Sequence, residues 1–157
     1  MNTLISPIQV VRLAFAPDGA LPPDAVTEAD IAAAEQRYLI PVLGRALHER
    51  LMTDNDRSFV DHYLAAPLAL FTRLLIQPRL DLRTGRTGTT APHPDGASAA
   101  SAEARRQLCR SLRSEARSLL RRAVARIEEA PEAFPEYEPS RNILRHCSLD
   151  GKLVQVH

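Results

Sequence analysis

Apolar residues recur at helical spacing over the last third of the chain, and polar residues fill the positions between them. The pattern over residues 103–130 predicts the longest helix, because a 3.6-residue period places these apolar side chains in one stripe. Pro131 follows directly and ends the pattern. The core of the stripe is Leu108, Leu112, Leu119, Ala123, Ile127 and Ala130, widened by Ala116, Leu120 and Val124.

Residues 27–51 predict two helices joined at a fixed corner. Thr27 is a good N-cap, and Asp30 stands three residues later, as in a capping box. The first helix is expected to run to about Tyr38. Ile40 precedes a proline, which disfavours helical backbone there, and Pro41 suits the first position of a new helix. The corner is therefore predicted in the I-P-x-L-G segment, from Ile40 to Gly44.

Residues 57–77 again have helical spacing, interrupted by Pro67, which either kinks one helix or starts a second. The segment 68–76 is apolar on most sides, so we expect it to be the most buried helix. The two ends differ from this pattern. Residues 8–15, IQVVRLAF, predict a short strand or extended arm, and Asp150-Gly151 predicts a C-terminal β-hairpin.

These patterns predict one mainly α-helical domain spanning residues 1–157, a small helical bundle with a long C-terminal helix. The length is sufficient for a core without disulfides or a metal. With 4% aromatic residues and no Trp, Leu, Ala, Val and Ile must build that core. The predicted parts are an extended arm (1–26), a helical region (27–83), a long mobile loop (84–102), the long helix (103–130) and a tail with the hairpin (131–157).

Positive charge is concentrated on the predicted long helix, although the net charge of the chain is only +1. Eight arginines lie between Arg105 and Arg126. Five of them recur every three or four residues and therefore share one helix face: Arg106, Arg110, Arg113, Arg117 and Arg121. This basic stripe suits contact with DNA phosphates or with an acidic partner surface. The competing interpretation is an ordinary solvated face.

No pattern of catalytic, cofactor-binding or metal-binding residues stands out, so we predict that the protein is not an enzyme. Cys109 and Cys147 are isolated and are expected to be reduced thiols. The five histidines have no ligand spacing on a shared helix. RTGRTGTT lacks the GK[ST] ending of a phosphate-binding loop. The sequence has no apolar run of about 18 residues, so no membrane contact is expected.

Three blocks of the sequence resemble the small helical head–tail connector (adaptor or neck) proteins of tailed phages and prophages. The shared features are an acidic N-cap before an amphipathic helix, the I-P-x-L-G segment at Ile40 to Gly44, and a long amphipathic helix near the end. The blocks are TEADIAAAEQRYLIPVLGRALHERL, FVDHYLAAPLALFTRLLIQPRLDLRTG and RRAVARIEEAPEAFPEYEPSRNILRHCSLDG.

The resemblance implies a structural virion-assembly protein without catalytic residues. It would form an oligomeric ring of its own copies between the portal and the tail, with DNA passing through the ring. Its location would be the virion neck, and the host cytoplasm during assembly. By the same analogy, the 84–102 loop and the C-terminal hairpin are candidate docking elements.

Two other functions remain open from the sequence. One is a nucleic-acid-binding module that uses the Arg-rich helix 103–130, for which salt-dependent DNA binding would be evidence. The other is a small enzyme or ligand-binding helical protein, which would need a pocket with convergent polar groups.

Overall fold

The fold is mainly α-helical, in agreement with the fold class predicted from the pattern of apolar residues. The computed structural model describes residues 3–16, 21, 25–54, 57–81 and 100–145, and the backbone of 83–85 and 88–90. Within these ranges there are six α-helices: α1 (Pro7–Ala14), α2 (Glu28–Ala34), α3 (Ile40–Leu43), α4 (Arg45–Thr53), α5 (Ala65–Asp81) and α6 (Ala102–Glu129).

Two π-helical turns connect or precede these helices. One spans Glu35–Leu39 and joins α2 to α3, and the other spans Val60–Leu64 and leads directly into α5. Short 3-10 turns follow α6 at Pro139–Arg141 and Ile143–Arg145.

The predicted N-terminal strand is wrong, because residues 7–14 form helix α1 rather than a strand or an extended arm. Ser6 caps the helix, and Gln9 completes a capping box. Pro7 occupies the first turn, where its missing N–H needs no helical partner. These start signals outweigh the strand preference of Val10 and Val11, and the buried face of α1 packs against α5.

The chain does turn within the predicted corner, Ile40 to Gly44, but the expected break in the helix at Ile40 is wrong. Ile40 has helical backbone angles, and the chain continues through Pro41 into α3. The preceding π turn widens the helix, with the Ile40 N–H donating to the Glu35 carbonyl. The chain turns instead at Gly44, whose φ of 84° is readily available only to glycine. Thr27 and Asp30 do form the predicted capping box at the start of α2.

Pro67 does not start a second helix, because the helical backbone runs without a break from residue 58 to residue 81. It is the third residue of α5, in the first turn after the π turn at Val60–Leu64.

Helix α5 is the centre of the core, as predicted for residues 68–76. It packs against α1, α2 and α6. Its Phe71 is buried and stacks on Tyr38, with ring centroids 4.3 Å apart. Ten of its residues are buried: Ala65, Pro67, Leu68, Ala69, Leu70, Phe71, Thr72, Leu74, Ile76 and Gln77.

The segment predicted as a loop at 84–102 includes some regular structure at its start. Two three-residue strands, β1 (Arg83–Gly85) and β2 (Gly88–Thr90), pair antiparallel, with Arg83 opposite Thr90. The rest of that prediction, from 91 to 99, lies outside the described residues, as does the predicted C-terminal hairpin.

Candidate partner interface

Helix α6 presents the basic stripe that the sequence predicted. Ser101 caps the helix by accepting a hydrogen bond from the Ala104 N–H. The opposite side of the helix packs on α5 and fixes its orientation. The buried residues of that side are Leu112, Ala116, Leu120, Ala123, Val124 and Ile127. Because these apolar side chains face the core, the arginines at the remaining positions face outward.

The first two arginines of the stripe are partly neutralised within the helix. Arg106 and Arg110 each form an ion pair with Glu103, with N–O distances of 2.8 Å. All three side chains are more than 60% exposed, so these pairs contribute little to stability. Their main effect is to reduce the net charge of the first two turns of α6.

The other three arginines form an exposed and uncompensated group. Arg113, Arg117 and Arg121 are exposed and make no ion pair with any part of the chain that the structure describes. Glu115 lies two residues from both Arg113 and Arg117, a spacing that places it on a different side of the helix. We call Arg113, Arg117 and Arg121 the free basic face of α6.

Two further arginines of α6, Arg122 and Arg126, contact the rest of the fold or a nearby carboxylate. The guanidinium of Arg122 lies 5.5 Å from the ring centroid of Tyr63, in cation–π geometry. Arg126 pairs with Glu129 at 3.4 Å. From Arg106 to Arg126, the structure thus divides the arginines into a paired N-terminal part, a free middle part and a C-terminal part that contacts Tyr63 and Glu129.

A second polar cluster was not predicted. The carboxylate of Glu35 is buried, accepts a hydrogen bond from the Leu4 N–H at 2.7 Å, and lies 3.1 Å from His48 Nε2. Arg57 donates to the Leu4 carbonyl. This cluster fastens residues 3–6 to the start of the π turn. The sequence contains one sign of this cluster. Glu35 lies four residues from both Ile31 and Leu39, so a helix would place this acid on the same face as two apolar residues.

We interpret the Glu35 cluster as structural. Each of its two carboxylate oxygens has a polar partner within the chain, as a buried carboxyl group requires. Among the described residues, no group of three or more His, Cys, Asp or Glu side chains is placed to hold a metal ion. No helix in the described ranges is long and apolar enough to cross a membrane.

The fold and this surface together define a mainly α-helical protein with a basic helix face. The chain belongs to the DUF6712 family, a family of unknown function, which it matches over residues 29–146. That match includes α2 to α6 and therefore the whole free basic face. No curated protein and no solved structure matches the chain.

Proposed function

We propose that this protein is a structural component of virion assembly of the head–tail connector type, forming an oligomeric ring between a phage portal and tail. Two features support the proposal. The resemblance of three sequence blocks to connector proteins is one. The other is a helical fold in which two of those blocks, 27–51 and 59–85, pack together around α5.

The single observation that carries the proposal is the free basic face of α6. Three guanidinium groups occur within about 12 Å along the helix, given a rise of 1.5 Å per residue. They are exposed and have no carboxylate partner in the described part of the chain. In a ring, such a face would meet DNA in the channel or the acidic surface of a portal subunit.

The direct test removes the charge of this face and follows ring assembly. The variant Arg113→Gln/Arg117→Gln/Arg121→Gln would be co-expressed with the portal and tail proteins of its genome, and the particles would be imaged by electron microscopy. The matched control is Arg12→Gln/Arg37→Gln/Arg45→Gln, which removes three exposed arginines from other elements.

We expect rings in the wild type and in the control, and few or none in the α6 variant. Normal rings from the α6 variant would contradict the proposed role of this face. The neighbouring genes supply an independent test. Portal, capsid or terminase genes on one side and tail genes on the other are expected, whereas metabolic or regulatory neighbours would contradict the connector role.

The second candidate function is a nucleic-acid-binding module, favoured by the same free basic face. The measurement is binding of the purified protein to duplex DNA by fluorescence anisotropy at several salt concentrations. The logarithm of the binding constant should fall with the logarithm of salt, by about 0.9 for each phosphate contacted. The α6 variant should flatten this slope, and an unchanged slope would exclude α6 as the DNA contact.

A further inference from the structure

A cavity of about 350 Å³ lies where the end of α4, the π turn before α5 and the end of α6 meet. Three aromatic rings form part of its wall: Phe59, Tyr63 and Phe134. Arg50, His62 and Arg126 add polar groups. None of the arginines of the free basic face lines it, so this is a separate site.

The aromatic rings of the wall pack against one another. Phe59 lies between Tyr63 and Phe134, with ring centroids 5.4 Å and 4.7 Å away. Arg50 lies 5.4 Å from the centroid of Phe134, and Arg122 lies 5.5 Å from that of Tyr63. Each ring therefore has two neighbours and little open face. Such a wall favours a compact apolar side chain over a stacked nucleic-acid base.

One guanidinium of the wall, that of Arg126, is available to a negatively charged ligand group. The wall contains two guanidiniums, Arg50 and Arg126, against the one carboxylate of Asp54. The guanidinium of Arg50 is already bound within the chain, because NH1 lies 3.0 Å from Glu136 and NH2 donates to the Ala133 carbonyl at 2.9 Å. Arg126 has only the 3.4 Å contact with exposed Glu129, so most of its five N–H donors remain for a ligand.

We propose that this cavity binds a peptide segment of a partner protein in which a carboxylate adjoins an apolar side chain. The apolar side chain would fill the space beside the aromatic rings, and the carboxylate would pair with Arg126. The volume lies at the lower end of the range for ligand pockets, which suits one side chain and its neighbour.

The described surface of a second copy does not offer such a segment. The large apolar residues that it exposes are Ile8, Leu13 and Ile143. None of them has an acidic residue next to it in the sequence. In the part of the chain that the structure describes, a second copy thus offers no such segment, and we assign the cavity to a segment of a different protein.

The test uses N-acetylphenylalanine as the probe, because it joins one carboxylate to one apolar side chain. Two-dimensional NMR of the full chain would follow its binding. N-acetylphenylalaninamide lacks the carboxylate, and acetate lacks the ring. We expect saturable binding of the probe, with shifts at residues 59–63 and 126–134, and binding at least about tenfold weaker for both controls.

Matched variants of two arginines on the same helix localise the site. Arg126→Gln should weaken probe binding about tenfold, and Arg121→Gln, outside the cavity, should leave it unchanged. Both positions are exposed, so both variants should keep the wild-type melting temperature.

Three outcomes would overturn the proposal. One is no saturable binding of the probe, and another is equal binding by the amide or by Arg126→Gln. The third is a different occupant, shown either by displacement of the probe by a single-stranded oligonucleotide or by self-association of the protein that the probe disperses.

Discussion

Helices α5 and α6 lie against each other but differ in almost every other respect. Of the 17 residues of α5, ten are buried, on most sides of the helix. Of the 28 residues of α6, six are buried, all in one stripe. Helix α5 contacts α1, α2 and α6, whereas α6 leaves its arginine side exposed.

This difference indicates that α5 contributes mainly to the stability of the fold, whereas the exposed side of α6 is available to bind a partner. Burial of apolar side chains is the main stabilising term of folding, so substitutions in α5 should act on the free energy of unfolding. The exposed arginines of α6 contribute little to that free energy and remain available to a partner. Substitutions graded from α5 to α6 test this separation.

The largest loss of stability is expected at the centre of α5. Phe71→Ala would remove a buried ring and its stacking on Tyr38. We expect a loss of about 3–5 kcal/mol in the free energy of unfolding, measured by urea denaturation. The control Phe59→Leu changes a ring that is only partly buried and should cost clearly less. Equal losses would mean that α5 is not the dominant core element.

The second-largest loss of stability is expected at Glu35, a polar side chain in the buried region. Glu35→Ala would leave the Leu4 N–H without its acceptor and His48 without its partner. We expect a loss of about 1–3 kcal/mol by urea denaturation. Faster amide exchange at residues 4–6 should accompany it, because this cluster holds the segment. Glu49→Ala, at an exposed position nearby, should change stability by less than about 0.5 kcal/mol.

A smaller, pH-dependent effect on the free energy of unfolding is expected near the C-terminal end of α5. Arg79 contacts Asp30 at 2.9 Å. Desolvation alone would raise the pKa of Asp30, but hydrogen bonds from Arg79 and Thr27 outweigh it and lower the pKa below its ordinary value of 3.8. A lowered pKa in the folded state stabilises the fold above that ordinary value. This contribution is lost as the pH falls through the folded-state pKa.

Arg79→Gln should therefore reduce the free energy of unfolding by up to about 1 kcal/mol at about pH 6, since Arg79 is largely exposed. At about pH 2 the part of the difference that comes from Asp30 should be lost, which leaves the hydrogen bond from Arg79 to the Ala25 carbonyl. Urea denaturation at the two pH values measures both quantities. A difference that did not depend on pH would show that Arg79 acts through the Ala25 carbonyl rather than through Asp30.

The smallest effect on stability is expected on α6. Each of Arg113→Gln, Arg117→Gln and Arg121→Gln, made singly, should change the free energy of unfolding by less than about 0.5 kcal/mol, with no loss of helix signal in circular dichroism. A large destabilisation would mean that the free basic face belongs to the fold rather than to a partner contact.

The sequence predicted the elements whose signals are local. The Thr27–Asp30 capping box, the burial of residues 68–76 and the long helix at 103–130 all follow from periodicity and caps, and the structure confirms each. Arg106 to Arg121 do share an exposed face, but only the structure shows that Glu103 pairs with Arg106 and Arg110 alone.

The predictions from the sequence were wrong where contacts between distant residues, or π turns, determine the structure. Val10 and Val11 favour a strand locally, yet packing on α5 and the Ser6 cap make the segment a helix. Pro41 suggested a break, but the π turn before it allows the helix to continue. The contacts of Glu35 with Leu4 and His48 span 31 and 13 residues, beyond the reach of a local pattern.

The two π turns have a consequence for the length of related chains. A π turn contains one residue more than an α turn, so it can lose a residue and close as an ordinary helix with the flanking helices still in phase. Gln36 and Asp61 are exposed residues in these turns where such a loss disturbs no core contact. The same deletion inside α5 would rotate every following side chain by about 100°. Single-residue gaps among DUF6712 members are therefore expected at Glu35–Leu39 and Val60–Leu64, and not within α5.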